Sequence, residues 1–400
     1  MESLLNNARC MEAAENALTH HRPGNRSRWA ALFVLLTRLA AAAEPVPPSP
    51  PGAELFACTS VLAFCVDIGE EGTESLRQQP RESVKATLRY GGAVFPDVAV
   101  HIKGSQGSVQ SIDDRPALTV SFNKHFPTRR FRGLRKIHFN NEAEDPTFLT
   151  DVLCTELFRG AGVPAARAGY ATLQLNGRPL GLYVLKEGLT REFLAQHFKQ
   201  TGGNLYDGGF QIDVNRSLEL LQGPGPEGQP KLRALVAAAR EPDISDRWSR
   251  LARVLDTERF ARSLAMQTLT WNWDGYAMAR NNYRIYHDPE TDRLVFIPHG
   301  LDQMFWEPEG PIYPRMRGLV AAAFVGTTEG DRLYRDRLTE LHTKLFQVDR
   351  LTRRVHALAA LIKPFHPDVD VHAARLNGLI AGRIQSVAEQ LQATAPSLGR

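Results

Sequence analysis

Two acidic and two amide side chains lie close together between residues 271 and 305. Asp274 is the first of them, Asn281 and Asn282 follow, and Asp302 is the last. Carboxylate and amide oxygens are the hard ligands that Mg²⁺ and Mn²⁺ prefer in proteins. A further carboxylate can orient or deprotonate a hydroxyl group. The residue types and their spacing therefore indicate metal-dependent chemistry at a hydroxyl group.

The order of these residues is the order in which protein kinases place a catalytic aspartate, a metal-binding asparagine and a second metal-binding aspartate. Phosphoryl transfer needs one or two Mg²⁺ ions on the nucleotide phosphates and a carboxylate that orients the acceptor. The alternative is a set of ordinary turn residues, because Asp and Asn are common in turns and Asp274-Gly275 is a good turn dipeptide. The pattern alone leaves both interpretations open.

A helix and a hairpin are predicted to position the four side chains. Residues 256–270 begin with a capping aspartate and place apolar side chains on one side, which predicts a helix. Residues 282–287 and 293–298 alternate as two strands joined by the turn DPETD. Three further amphipathic stretches predict a helical C-terminal half: residues 331–346, 351–362 and 373–392.

The first half of the chain has the alternation typical of strands. Four strands are predicted at residues 83–90, 97–104, 117–123 and 134–140. Asp145-Pro146 predicts the start of a helix that continues through residues 148–158. Asn176-Gly177, between two alternating runs in residues 171–187, predicts a hairpin.

These elements predict an α+β fold with two lobes and a cleft between them. The sheet-rich N-lobe is expected at residues 51–215 and the helix-rich C-lobe at residues 216–400. The Gly/Pro-rich segment 220–232 lies near this boundary.

Residues 1–50 are predicted to be a targeting segment and linker. A basic stretch at 21–28 precedes an apolar run at 29–43 and a Pro-rich exit, which favours export with cleavage near residue 43. We therefore expect a secreted or cell-envelope protein. The apolar run is too short for a comfortable transmembrane helix, so no stable membrane insertion is expected beyond a short N-terminal anchor, and an internal helix is the alternative.

The charge and the cysteine content limit which functions and compartments are expected for this protein. Lys and Arg number 48 against 44 Asp and Glu, a net charge of +4 without a dense basic block, so we predict no nucleic-acid binding. Cys58 and Cys65 are candidates for a disulfide in an oxidising compartment, and two buried thiols are an equal alternative.

Several ordered blocks of the chain resemble the spore coat protein H-like (CotH) kinase family. The resemblance covers roughly residues 83–390, and the blocks are VAVHIKGSQGSV, FRGLRKIHFNN followed by Asp145, ELFRGAGVPAARAGYATLQLNGRPLGLYVLKEG, GGNLYDGG, WNWDGYAMARNNYRIY and FIPHGLDQMF. The resemblance implies an atypical, kinase-like two-lobed fold that binds ATP with Mg²⁺ or Mn²⁺ and phosphorylates Ser or Thr of a protein substrate. It implies Asp274 as the catalytic aspartate, with Asp302 and either Asn281 or Asn282 as metal ligands.

A glycine block and the end of a hairpin supply further candidates for cofactor binding. Lys103 is positioned to contact nucleotide phosphates while the backbone of Gly104 and Gly107 approaches them; a surface lysine beside a turn is the alternative. The resemblance favours Glu187 as a residue that orients a phosphate-binding lysine or a metal, against an ordinary charge at a strand end.

Two positions depart from the family pattern. Lys103 stands where many members have arginine, and His299-Gly300-Leu301-Asp302 replaces a Trp-Asp-Leu-Asp arrangement, so one carboxylate is missing. The missing acid motivates a nucleotide-binding pseudokinase as an alternative to an active kinase. A non-catalytic structural or coat protein of the spore or cell surface is the other alternative.

Overall fold

The first sheet of the computed structural model, which describes residues 49–104 and 107–393, is a closed barrel. Its strand order is β1-β2-β3-β4-β5-β7-β6, and the strands are β1 Leu62–Ile68, β2 Val84–Tyr90, β3 Ala93–Lys103, β4 Ala117–Ser121, β5 Lys136–Asn140, β6 Ala168–Leu175 and β7 Arg178–Glu187. Neighbouring strands are antiparallel except β1 and β6, which pair in parallel and close the barrel. A closed barrel leaves no free sheet edge.

Alternation along β7 shows how the barrel separates two cores. Tyr183 and Leu185 pack inside the barrel, whereas Leu182 and Val184 pack into the helical core on the other side of the wall. The predicted hairpin between β6 and β7 is confirmed. Its turn residues Asn176 and Gly177 have φ values of 49° and 79°, the left-handed conformation that an Asn-Gly turn supplies.

Helices fill most of the second half. The helices in the described residues are α1 Glu70–Gln78, α2 Thr150–Gly160, α3 Arg191–Leu194, α4 Pro230–Ala239, α5 Ile244–Val254, α6 Thr257–Leu269, α7 Tyr276–Ala279, α8 Leu319–Val325, α9 Thr328–Leu345, α10 Val348–Ile362 and α11 Val369–Ala393. The four helices predicted in this half are confirmed as α6, α9, α10 and α11. The helices α4 and α5 were not predicted, because the sequence before each contains proline and is largely exposed.

A second, four-stranded sheet lies beside the helices. Its strands are β8 Leu205–Asp207, β9 Glu219–Gln222, β10 Tyr283–Asp288 and β11 Arg293–Pro298, in the order β11-β10-β8-β9. The predicted hairpin of β10 and β11 is confirmed. β8 pairs with β10, so this sheet contains strands from both sides of the division predicted between residues 215 and 216.

Two aspartates fix the starts of the helices that matter for the site. Asp256 caps α6 by accepting a hydrogen bond from the Arg259 amide at 3.0 Å. Asp145 accepts from the Thr147 and Thr150 amides, each at 3.0 Å, and α2 begins at Thr150, four residues after the start predicted at Pro146. The turn before α2 therefore depends on one buried carboxylate.

The described residues also address the predictions about export and thiols. Residues 1–48, which contain nearly all of the predicted targeting segment, lie outside the described residues. No helix of residues 49–104 and 107–393 is long and apolar enough to cross a membrane. Cys58 and Cys65 are free thiols; the Cys58 Sγ lies 3.5 Å from the Ala168 carbonyl and the Cys65 Sγ lies 3.2 Å from Gln174 Oε1.

Candidate active site

The loop after α6 joins Asp274 to both asparagines of the pair. Asp274 Oδ2 accepts hydrogen bonds from Asn281 Nδ2 at 3.0 Å and from Asn282 Nδ2 at 2.7 Å. Burial raises the pKa of the half-buried Asp274 above its ordinary value, and the two amide donors partly oppose this rise. Because each amide donates through nitrogen, its oxygen remains the atom that can face a cation.

Asp302 follows β11 in a half-buried loop. Burial and the charge of Asp151 raise the pKa of Asp302 to about 7, while Lys186 opposes the rise. These interactions place Asp302 beside a charged group that extends from the barrel wall. The loop residue and the barrel residues therefore share one electrostatic environment.

A buried ion pair between β7 and α2 forms the barrel side of the site. Lys186 Nζ lies 2.6 and 2.8 Å from the two carboxylate oxygens of Asp151, and both residues are buried. Asn140 Nδ2 donates to Asp151 at 3.3 Å, and Lys103 Nζ donates to the Asn140 side-chain oxygen. Burial and the neighbouring charge of Lys186 lower the pKa of Lys103 to about 8.

Sequence reasoning selected Lys103 but missed Lys186 and Asp151 as a pair. Asp151 appeared only as one polar position within a predicted helix, and its partner lies 35 residues away on a strand. The lysine in the strand end LKEG was the available signal, but its neighbour Glu187 was selected instead. The buried pairing depends on how α2 packs on β7, which local pattern does not report.

Two half-buried histidines in the same region have lowered pKa values. Burial, together with the charges of Lys103 and Lys136, lowers the pKa of His138 well below its usual value. Burial and the charges of Arg284 and Lys186 do the same for His299. His138 contacts Thr119 Oγ1 at 2.9 Å, and His299 is hydrogen-bonded to Arg284. Neither imidazole therefore adds a positive charge to the region of the lysines.

The glycine block approaches the loop of Asp274 from the barrel side. Gly104 and Gly107 have φ values of 115° and 93°, which side chains other than glycine rarely adopt. A Cβ atom at Gly107 would collide with the carboxylate of Glu144. Burial and the charge of Asp274 raise the pKa of Glu144, so the block, Glu144 and Asp274 lie in one neighbourhood.

Glu187 lies apart from this group. Its carboxylate binds the Arg167 guanidinium at 2.9 and 2.6 Å and accepts from Gln196 Nε2 at 2.7 Å. Arg167 also donates to the Pro51 carbonyl at 2.6 Å. The prediction that Glu187 orients a phosphate-binding lysine is therefore corrected: Asp151 holds Lys186, and Glu187 joins the end of the barrel to the segment before it.

Gly300, where the family pattern has an acid, is tightly packed against the asparagine pair. Its φ is 60°, and a Cβ atom there would lie 2.6 Å from Asn282 Oδ1. A side chain at this position requires Asn282 to move. The local backbone is therefore built for glycine.

The donor set fits a divalent cation that completes its shell with phosphate and water. Within the described ranges, no three His, Cys, Asp or Glu side chains converge into a site that holds a metal by itself. Mg²⁺ is commonly held by one or two carboxylates together with substrate phosphates and waters. Asp302 and the amide oxygens of Asn281 and Asn282 have the chemistry for that arrangement.

Comparison with known proteins supports the family suggested by the sequence blocks. Residues 100–394 match the CotH kinase protein family. The chain is 25% identical to inner spore coat protein H of Bacillus subtilis (strain 168) over 260 residues, which cover 60% of this chain and 71% of that protein. It is 24% identical to invasin CotH2 of Rhizopus delemar over 327 residues, 72% of this chain and 54% of the invasin, so it spans about half the length of that relative.

Among solved structures, the chain is similar to a Helicobacter pylori proinflammatory kinase, CtkA. The similarity has a TM-score of 0.37 and 9% identity, and covers 79% of this chain and 93% of that chain. These values are too low to assign a fold, so the α+β architecture follows from the strands and helices described above. The match over residues 100–394 covers most of the sequence, and the chain belongs to the CotH kinase protein family.

Proposed function

We propose that this chain is an atypical protein kinase that transfers the terminal phosphoryl group of ATP to a Ser or Thr hydroxyl of a protein substrate with Mg²⁺ or Mn²⁺. The observation that carries this proposal is the buried Lys186–Asp151 pair, whose two charges both act on Asp302. Phosphoryl transfer requires a cation on the phosphates, an acid that holds this cation, and an acid that binds the metal. Lys186, Asp151 and Asp302 have the chemistry for these three roles.

The lysines are proposed to bind the phosphates. Asp151 holds Lys186 with both of its oxygens, which fixes the ammonium group at the barrel wall. The ammonium group of Lys103 is held by Asn140 a short distance along the same face. Two cations in a desolvated pocket favour a polyanion, and the backbone of Gly104 and Gly107 allows close approach to it.

Asp302 and the asparagine pair are proposed to hold the metal. A bound divalent cation would neutralise charge on the phosphates and align the transferred group. Asp302 supplies a carboxylate, and Asn281 and Asn282 supply amide oxygens because their nitrogens are committed to Asp274.

Asp274 is proposed to orient the acceptor hydroxyl and receive its proton. Both asparagine donors use Oδ2, which fixes the carboxylate plane and leaves Oδ1 for the incoming hydroxyl. The raised pKa of Asp274 makes it a stronger proton acceptor than an exposed aspartate.

The relatives also favour a surface location. They include an inner spore coat protein and fungal invasins, whose names place them on spores or at a host-contacting surface. We propose that the chain acts on a secreted or cell-envelope protein.

The test combines ligand binding with phosphoryl transfer for wild type, Asp302→Asn and Asp274→Asn. Ligand that binds only the folded state raises stability by about 3 kcal/mol when its concentration is a hundred times Kd. We expect ATP with Mn²⁺ to raise the melting temperature of wild type and Asp274→Asn, and not of Asp302→Asn. Transfer of labelled phosphate to proteins of the cell envelope should fall roughly 10²- to 10⁴-fold in Asp274→Asn.

Two other outcomes correspond to the alternatives. Nucleotide binding without transfer to any acceptor indicates a pseudokinase, which Gly300 motivates because it removes one acid of the family pattern. No binding under either metal contradicts the kinase proposal and favours a structural coat role, in keeping with the name of the Bacillus relative.

A further inference from the structure

Glu142 is a buried acid that the proposed reaction leaves unused. It lies just after β5, is 5% exposed, and its Oε2 atom has no hydrogen-bond partner among the described residues. Its φ is 51°, a left-handed conformation that costs energy for any residue with a side chain. A buried carboxylate without a partner is unfavourable unless a cation reaches it, so both features call for an explanation.

The neighbouring cations are already engaged. Lys186 is bound by both oxygens of Asp151, and Lys103 donates to Asn140. No described side chain forms an ion pair or hydrogen bond with the carboxylates of Glu142 or Asp302. The segment that carries Glu142 meets the loop of Asp302, because the side chain of Glu144 is hydrogen-bonded to Gln303. Neither Glu142 nor Asp302 has a cationic side chain in contact among the described residues.

The two acids act on one another. The charge of Asp302 is among the main influences on Glu142, after burial and Asp151. Glu142 and Asp302 both act in turn on Lys186 and Lys103, which locates them on the same side of the barrel wall. Two neighbouring carboxylates repel one another when both are ionised, and a divalent cation bound by both removes this repulsion.

We propose that Glu142 is a ligand of the divalent cation and shares it with Asp302. This inference rests on the proposed function, and it names a hard divalent cation, Mg²⁺ or Mn²⁺, as the ligand. Glu142, in the segment after β5, would supply the second carboxylate that the family pattern has at the position of Gly300. The metal then joins the barrel to the loop after β11.

The position of Glu142 fits this role better than a purely structural one. A structural carboxylate has its oxygens occupied, as Glu187 shows with four hydrogen bonds from Arg167 and Gln196. Glu142 instead keeps a buried oxygen without a donor and a strained backbone. Strain of this kind persists where the surrounding structure holds a residue for binding.

The experiment measures Mn²⁺ binding to the full chain without nucleotide, by the loss of the free Mn²⁺ signal in electron paramagnetic resonance. Wild type is compared with Glu142→Gln, Asp302→Asn and the control Glu156→Gln, which removes one negative charge from an exposed acid paired with Arg354. We expect affinity to fall at least about tenfold in the first two variants, because loss of even an indirect ligand contact costs that much, and to stay unchanged in the control.

Melting in EDTA separates binding from folding. Without metal, Glu142→Gln should melt near the wild-type temperature, because burial and the charge of Asp151 raise the pKa of Glu142 well above its usual value and the amide then replaces a neutral acid. Loss of Mn²⁺ binding together with a lower melting temperature assigns Glu142 a structural role and overturns the inference.

The remaining outcomes distinguish this inference from the proposed function. Normal Mn²⁺ binding by Glu142→Gln with loss in Asp302→Asn overturns the role of Glu142 and leaves the proposed function standing. No Mn²⁺ binding by wild type, with or without ATP, overturns both.

Discussion

Lys186 and Glu187 are neighbours at the end of β7, and each forms a buried ion pair on a different side of the barrel wall. Lys186 binds Asp151 of α2 at 2.6 Å, and Glu187 binds Arg167, just before β6, at the same distance. Successive side chains of a strand point to opposite faces, so one step along the chain separates the two environments. The pairs are alike in burial and geometry and differ in their surroundings.

The surroundings show which pair has a task beyond folding. Gln196 and Arg167 together satisfy the Glu187 carboxylate, and Arg167 continues to the Pro51 carbonyl. Lys186 instead interacts through its charge with Asp302, a carboxylate with no bound side chain in the described part of the protein. This difference is why we propose a binding role for the Lys186 pair and a structural role for the Glu187 pair.

The largest expected effect comes from breaking either pair on one side. Lys186→Met leaves Asp151 buried without its cation, and Arg167→Met does the same to Glu187, so each should lower the free energy of unfolding by about 3–5 kcal/mol. Chemical denaturation measures this change. A loss below about 1 kcal/mol in either variant contradicts the burial of that pair.

Double replacements then separate the two roles. Lys186→Met with Asp151→Leu, and Arg167→Met with Glu187→Leu, should each recover most of the lost stability because no uncompensated charge remains. Only the first double variant should lose the stabilisation by ATP and Mn²⁺. Equal ligand responses in the two double variants would contradict the comparison.

A smaller effect is expected from pH on the side of Glu187. Burial, followed by the charges of Arg159 and Arg259, lowers the pKa of His197 from 6.5 to about 4. The unfolded chain therefore binds a proton between pH 6.5 and 4 that the folded chain does not. The contribution of neutral His197 is complete above pH 6.5 and is lost as pH falls toward 4, by at most about 3 kcal/mol.

Replacing His197 with Gln tests the direction of this change in stability with pH. The unfolding free energy of wild type should fall more steeply than that of His197→Gln between pH 6.5 and 4.5, while the response to ATP and Mn²⁺ at pH 7.5 stays in both. Parallel curves would show that His197 does not remain neutral in the folded chain.

The smallest expected effect compares two glycines with similar backbones. Gly300 and Gly177 have φ values of 60° and 79°, so alanine at either position should cost about 1–2 kcal/mol. A Cβ atom at Gly177 meets nothing within 4 Å, whereas one at Gly300 displaces Asn282. Gly300→Ala should therefore also weaken Mn²⁺ binding, and an unchanged affinity would remove Asn282 from the set of metal ligands.

Much of the local structure could be predicted because it depends on short-range pattern. Alternation identified most barrel strands, Asn176-Gly177 identified the hairpin, and helical spacing identified α6 and the last three helices. The strand β1 was missed because its residues Leu62–Val66 are all apolar and show no polar–apolar alternation, although β1 pairs with the nearby β2. The short helix α4 was missed because the Gly/Pro-rich sequence before it hides its start.

The candidate site was predicted in part for the same reason. Asp274, Asn281 and Asn282 lie within nine residues, and the structure brings them into direct contact. Glu187 was selected over Lys186 because a dipeptide does not reveal which side chain faces which core. Glu142 gave no signal, since an acid in a polar loop is ordinary until its burial is known.

By itself the sequence determined the family, the mixed α+β composition, and the order of the polar residues around β10 and β11. The tertiary structure decided which face of β7 meets α2, that Asp151 is the partner of Lys186, and that Glu142 is buried where the charge of Asp302 acts on it. The physical reason is that hydrogen bonds within a turn or hairpin depend on neighbouring residues. Buried charge depends on which distant segments exclude water from it, and only the packed chain fixes that.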